Sequence, residues 1–247
     1  MPNLSAHTNI AILATKHLGD KCLDLNLKYF VLGATAPDLR IITKSSRETY
    51  HFAPLDFDEI GAGKESLLKT HPDLLPISIT HNPTRAFIAG YITHLVLDES
   101  WITEMYRPYF GNDLVFLDPV YGKVLDRAFQ LELDLISQND SDLVLSLLSQ
   151  STETVDVNFI PPETQIAWRE WVAEHLKQDF TWERLRHMAR RISRGIDDHP
   201  AHQIADQFLN AMPESIERMH DYVSYKDLTD FKDRAIDRLA NEVGDYV

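Results

Sequence analysis

The sequence predicts an all-α protein, a multi-helix bundle built as a single domain over residues 1–247. Glycine is scarce, with only 9 in 247 residues. Apolar residues recur at three- and four-residue steps through long stretches, the period of a helix with one buried face. Hydrophobic residues at 44% and charged residues at 25% are ordinary for a globular chain of a length that buries a sizeable core. Within that domain, residues 1–110 hold most candidate ligands and residues 111–247 read as helix packing.

The net charge of −14 disfavours nucleic acid and anionic membranes as general partners, although a local basic pocket stays open. The lone cysteine, Cys22, can form no internal disulfide, which fits a reducing, cytoplasmic setting. No run approaches the eighteen apolar residues of a membrane span. The opening MPNLSAHTNIAILATKHLGDK lacks a basic n-region and is not expected to be a signal peptide. Protein partners are not specified by any motif.

The elements follow in order. Ser5 is a suitable cap and Gly19 a suitable stop for a first helix whose inward stripe includes His7, Ile10, Ala11 and Ala14. A second helical run, about 25–32, stops at Gly33, and Pro37 then biases Ala36 out of helix, leaving Asp38 in a loop. Arg40, Arg47 and His51 follow. A short helix spans about 58–70, with His71 and His81 beside turn signals. Asn82 as cap and Pro83 in the first turn open a long helix expected to end near Tyr106-Arg107-Pro108. Residues 119–150 are leucine-rich at helical spacing. The loop 149–162 ends in Pro161-Pro162. Further helices are expected at about 163–178, 181–194, 199–221 and 226–243.

The chemistry concentrates on the long helix. Its buried face runs Phe87, Tyr91, His94, Asp98, Met105, so an imidazole and a carboxylate stand one turn apart among large apolar residues. A buried carboxylate needs a partner, since an unpaired charge there costs several kcal/mol or more. That partner is either the histidine itself, in a structural hydrogen bond, or a metal ion that satisfies both groups. Imidazoles with carboxylates and no cysteine form the expected ligand set of a hydrolytic Zn²⁺, Mn²⁺ or Fe site. Rival clusters are weaker. His199 and His202 lie at a helix start and read as surface caps. The His220-Asp221 dipeptide lacks an upstream histidine for phosphohydrolase chemistry. GAGKES at 61–66 lacks the leading spacing of a phosphate-binding loop, and no nucleophile elbow is present.

Four segments together resemble the zinc-dependent phospholipase C family over about residues 1–110: SAHTNIAILA with His7, LGATAPDLR with Asp38, RETYHF with His51, and AFIAGYITHLVLDESW with His94 and Asp98. The resemblance implies the all-helical fold of that family with additional C-terminal helices. It implies that Asp38, His51, His94 and Asp98 bind one metal, with Asp98 bridging to a second held by His7. Three-metal members add a further histidine and a His-x-x-x-Glu pair. This chain has no histidine between Asp98 and His175, so one or two ions are expected, zinc or another divalent metal. His71 or His81 is available to complete the set.

The expected activity is metal-dependent hydrolysis of a phosphate ester, with a small-molecule or lipid phosphate ester as substrate. The metal lowers the pKa of a bound water, Asp38 or Asp98 orients or deprotonates it, and Arg40, Arg47 or Arg107 meets phosphate oxygens. The ordinary alternative for each arginine is surface pairing with Asp or Glu. Two other readings of the whole chain stand beside the enzyme: a metal-stabilised helical binding or scaffold protein without turnover, and a metal-free bundle with hydrogen-bonded core histidines.

Overall fold

A computed structural model describes residues 1–247 except 20, 80, 112–115, 117, 138–140 and 152. The side chain of Cys22 also lies outside the described residues. The described residues form helices and no strand: α1 (Leu4–Leu18), α2 (Lys21–Leu25), α3 (Leu27–Gly33), α4 (Arg40–Thr43), α5 (Glu48–His51), α6 (Ala62–Thr70), α7 (Asn82–Trp101), α8 (Pro119–Leu135), α9 (Ser141–Gln150), α10 (Pro162–Leu176), α11 (Arg184–Ile192), α12 (Pro200–Asn210), α13 (Glu214–Met219) and α14 (Tyr225–Gly244). The all-α expectation holds. Among the described residues, no helix is long and apolar enough to cross a membrane.

Several boundaries differ from the sequence expectation for local reasons. α1 begins at Leu4, so Ser5 lies inside its first turn; the amide of Ala6 donates instead to Asp134 Oδ1 of α8 at 3.1 Å. Asn82 is likewise inside α7, and His81 flanks it. Pro108 does not stop the long helix. Beyond Trp101 the turns widen into a π-helix, Ile102–Phe110, in which the Gly111 amide reaches back to the Tyr106 carbonyl. A wide turn accommodates a residue that lacks an amide and would crowd a normal one. The expected helix 199–221 is broken at Pro213 into α12 and α13, and the run 119–150 is two helices, α8 and α9. Side-chain caps form on later helices: Asp118 accepts from the Val120 amide on α8, and Ser224 with Asp227 makes a capping box on α14.

α7 is the axis. Seventeen of its residues are buried, from Thr84 to Trp101, so it has no solvent face to show an amphipathic period. α1, α3, α6 and α14 pack around it, and α8, α11 and α12 form a second group joined through α1 and the π segment. α3 and α7 cross at backbone contact through two glycines. A Cβ added at Gly33 would stand 2.0 Å from the Phe87 carbonyl oxygen, and one at Gly90 would stand 1.9 Å from that of Phe30. Only residues without a side chain permit that approach. The crossing sets the depth at which the next turn of α7, carrying His94, meets the loop after α3.

Candidate metal centre

Each side chain of the cluster is held by its own local device. The α3–α7 crossing brings the Ala34 carbonyl to 2.9 Å from His94 Nδ1, which donates to it. That bond fixes the tautomer and turns Nε2 away from Ala34 with its lone pair free, the usual outer-shell arrangement for a ligating imidazole. One turn later on the same helix, Asp98 is 1% exposed. His51 ends α5, whose Tyr50 carbonyl accepts from Tyr91 Oη of α7 at 2.5 Å. Phe52 follows in the left-handed region at φ 58, a strained backbone that its packing against Phe159 and His71 sustains. His7 comes from the first turns of α1, whose start is tied to α8 by the Asn3 and Ala6 bonds to Asp134. Asp38 lies in a 3₁₀ turn, Ala36–Leu39, just beyond Thr35, whose hydroxyl accepts from Trp168 Nε1 of α10 at 3.0 Å.

These devices converge. His7 Nε2 lies 3.3 Å from Asp98 Oδ1. His51 Nε2 and His94 Nε2 lie 3.1 and 3.8 Å from Asp98 Oδ2. His51 Nε2 is 4.0 Å from Asp38 Oδ1. The His7 and His94 rings stack at 3.6 Å with 3° between their planes. Two triads, His7–His94–Asp98 and Asp38–His51–His94, each bring their donor atoms within 4.8 Å of one another. A tetrahedral ion with bonds of about 2.0–2.1 Å sets its ligand atoms roughly 3.4 Å apart, within the observed spread.

Proximity alone does not separate a metal site from a hydrogen-bond cluster; satisfaction does. Both ring nitrogens of His7 and of His51, Nε2 of His94 and Oδ1 of Asp98 are buried without a hydrogen-bond partner. Buried polar atoms are normally paired, because each unpaired one costs about 1–3 kcal/mol. Four neighbouring side chains that each bring one unpaired or nearby donor atom to the same place fit a cation, so this buried His/Asp group could bind a metal ion. The protonation states agree. Burial, reinforced by His7, holds His94 well below the usual imidazole range, so it is neutral at pH 7. Burial by itself raises the Asp98 carboxyl, but the close approach of the His51 and His7 rings outweighs it and holds Asp98 well below the carboxylate range. His94 therefore presents a neutral imidazole and Asp98 an anionic carboxylate, the forms that ligate.

The arginines divide. Arg47 is at the cluster: Nη2 lies 3.3 Å from Asp98 Oδ2 while Nη1 donates to the Ala53 carbonyl at 2.9 Å. Arg40 is half-buried one residue from Leu39, and both it and Arg47 act on the Glu48 carboxylate. Arg107 is elsewhere. It donates to the carbonyls of Leu55 and Phe57 and lies over the Phe57 ring, beside a cavity of about 470 Å³ that none of His7, Asp38, His51, His94 and Asp98 lines. His71 packs between Phe52 and Phe159, and His81 Nδ1 meets Thr84 Oγ1, so neither lies in the ligand groups. His199 caps α12 by accepting from the Ala201 amide, as its position predicted.

Asp38 is the cluster's outlet. Its side chain is 19% exposed, whereas those of His7, His51, His94 and Asp98 are at or below 1%. It borders a cavity of about 450 Å³ whose walls include Asn3, Ile41, Trp171, His175, Arg184 and Arg191. The basic wall from α11 was not singled out from the sequence. Its signal was available in RLRHMARR, a basic run in a chain of net charge −14. No family model, no curated protein and no solved structure matches the chain, so the side chains carry the functional reading by themselves.

Proposed function

We propose that the protein is a metal-dependent hydrolase of a phosphate ester, with zinc as the ion and Asp38, His51, His94, Asp98 and His7 as its ligands. The observation that carries this reading is the set of unpaired buried atoms on four side chains around one centre, beside a fifth side chain that opens onto a cavity. A bound divalent ion supplies Lewis acidity and acidifies a water at neutral pH. The chain supplies the rest. Asp38, partly exposed at the cavity edge, orients a water and accepts its proton. Asp98 turns Oδ1 toward His7 and Oδ2 toward His51 and His94, which suits a carboxylate shared between two ions. Arg47 balances its charge and stands near enough to meet a phosphate oxygen. The order of these residues resembles that of zinc-dependent phospholipases C, which adds support for phosphate esters as the substrate class.

Near-complete burial of four of the five side chains favours a second reading, a closed structural ion that ties α1, α5 and α7 together without turnover. Elemental analysis with an activity assay separates the two. The enzyme reading expects one or two zinc ions per chain and hydrolysis of a p-nitrophenyl phosphate ester. Chelator and His94→Ala should each lower that hydrolysis by about a hundredfold or more, with the circular dichroism of the variant unchanged. Stoichiometric zinc without hydrolysis of mono- or diesters would leave the structural ion. No bound transition metal at micromolar zinc would end both.

A further inference from the structure

We propose that the cavity bordered by Asp38 binds a small molecule carrying an anionic phosphate group, held by Arg184, Arg190 and Arg191 of α11. This deepens the hydrolase reading by naming what lies beside the metal cluster, and it rests on that reading only for the role of Asp38.

The chain carries 38 Asp and Glu against 24 Lys and Arg, so its arginines have carboxylates in excess to pair with. On α11 that pairing occurs on one face: Arg186 meets Glu183 and Asp206. On the cavity side it does not. Among the described residues, no ion pair engages Arg190 or Arg191, and Arg184 donates only to the carbonyls of Gln178 and Asp179. All three line the cavity with His175 and His187. Burial, then the charges of Arg184 and Arg191, hold His175 below the usual imidazole range, so a positive potential acts inside the cavity. Two carboxylates share the walls. Asp134 is engaged by Asn3 and Ala6, and Asp38 belongs to the metal cluster. Arg184 acts on Asp134 through its charge without an ion pair, and Arg190 and Arg191 have no anion of the protein's own; guanidinium groups bind phosphate through paired donors.

The remaining walls set the size and body of the ligand. Leu4, Ile41, Leu131 and Met188 are apolar. Trp171 stacks on Trp168 at 5.0 Å and on His175 at 5.1 Å, so both of its faces are covered and it offers the cavity an edge. The volume, about 450 Å³, lies in the lower part of the 300–1,000 Å³ range of small-molecule sites.

Calorimetric titration of the full chain with phenyl phosphate, after chelator treatment, tests this. Saturable one-to-one binding is expected, weakened about tenfold or more in Arg190→Ala/Arg191→Ala, which changes two exposed side chains. Arg191→Gln is the milder companion and should weaken binding by a smaller factor in the same direction. Binding that is absent, or unchanged in both variants, would overturn the proposal. So would displacement of phenyl phosphate by phosphatidate vesicles, which would assign the arginines to a lipid headgroup. The two readings fail separately. Arginine-dependent binding to a protein that takes up no zinc would sink the hydrolase and keep the pocket. Zinc-dependent hydrolysis indifferent to both variants would do the reverse.

Discussion

Two of the histidine–acid clusters among the described residues involve a buried acid, and they differ in one respect. Around Asp98, three imidazoles sit within 3.1–3.8 Å of the carboxylate, and both nitrogens of His7 and His51, Nε2 of His94 and Oδ1 of Asp98 are left unpaired. Around Glu132, His220 gives Nε2 to the carboxylate at 3.0 Å and Nδ1 to the Val223 carbonyl at 2.9 Å. The second cluster is a histidine whose two nitrogens both find partners inside the protein. The first leaves buried nitrogens and a carboxylate oxygen without partners, which a metal ion could supply. Residue types do not distinguish them, since both combine histidine with a buried acid. What distinguishes them is whether the histidine nitrogens find partners within the protein: both do at His220, where only Glu132 Oε2 is left unpaired, and neither does at His7 or His51.

The largest effect expected from that difference is on zinc-linked stability. At a free zinc concentration a thousandfold above Kd, the wild-type chain should gain about 4 kcal/mol in denaturant unfolding. His51→Ala should abolish the gain. His220→Gln should keep it in full while costing about 1–2 kcal/mol of zinc-independent stability, the loss of a buried hydrogen bond. A zinc shift that survives His51→Ala, or that vanishes in His220→Gln, would erase the contrast.

Gly90→Ala tests how the first cluster is assembled. The added Cβ meets the Phe30 carbonyl, so α3 must move off α7 and carry the Ala34 carbonyl away from His94 Nδ1. Overpacking of this kind costs about 1–3 kcal/mol or more. Zinc affinity measured by competition with a chelating dye should fall with it, whereas the His220–Glu132 bond, on other helices, should be untouched. Undiminished affinity would mean that the crossing does not position the imidazole.

A smaller effect concerns Asp134, the buried acid that seats the start of α1 and so His7. Burial, opposed by the bonds from Asn3 and Ala6, raises its carboxyl from 3.8 to about 6. The folded state therefore binds this proton more tightly than the unfolded one. Asp134 stabilises most when protonated, below about pH 4, and its contribution declines as pH rises through about 6. A shift near two units corresponds to at most about 3 kcal/mol. The difference in unfolding free energy between wild type and Asp134→Asn, followed from pH 8 to pH 5 by urea titration, should move in favour of wild type on acidification. A flat difference would show that Asp134 does not titrate in that range.

Much of this was legible locally. A period of three to four residues reveals a helix because the side chains that define it are neighbours in the chain, and α1, α10, α11 and α14 lie near where that period put them. The His94–Asp98 pair was readable for the same reason, being one turn of one helix. Breaks were harder. Pro108 was read as a stop and is absorbed by a π-helix, whereas Pro213 does break a helix expected to be continuous. The difference lies in what surrounds each proline, not in the proline.

The sequence by itself determined that the chain is helical, that an imidazole and a carboxylate share one buried face, and that Asp38 leaves a helix at a forced turn. These follow from steric and hydrophobic rules acting over a few residues. Tertiary structure alone decided that His7, His51 and Asp38 meet that pair, that Arg107 and His71 do not, and that the arginines of α11 wall a cavity beside Asp38. Those facts depend on how closely α3 and α7 approach and on how α10 and α11 fold back from the far half of the chain. Contacts of that range are set by the packing of whole helices, and no short stretch of sequence carries them.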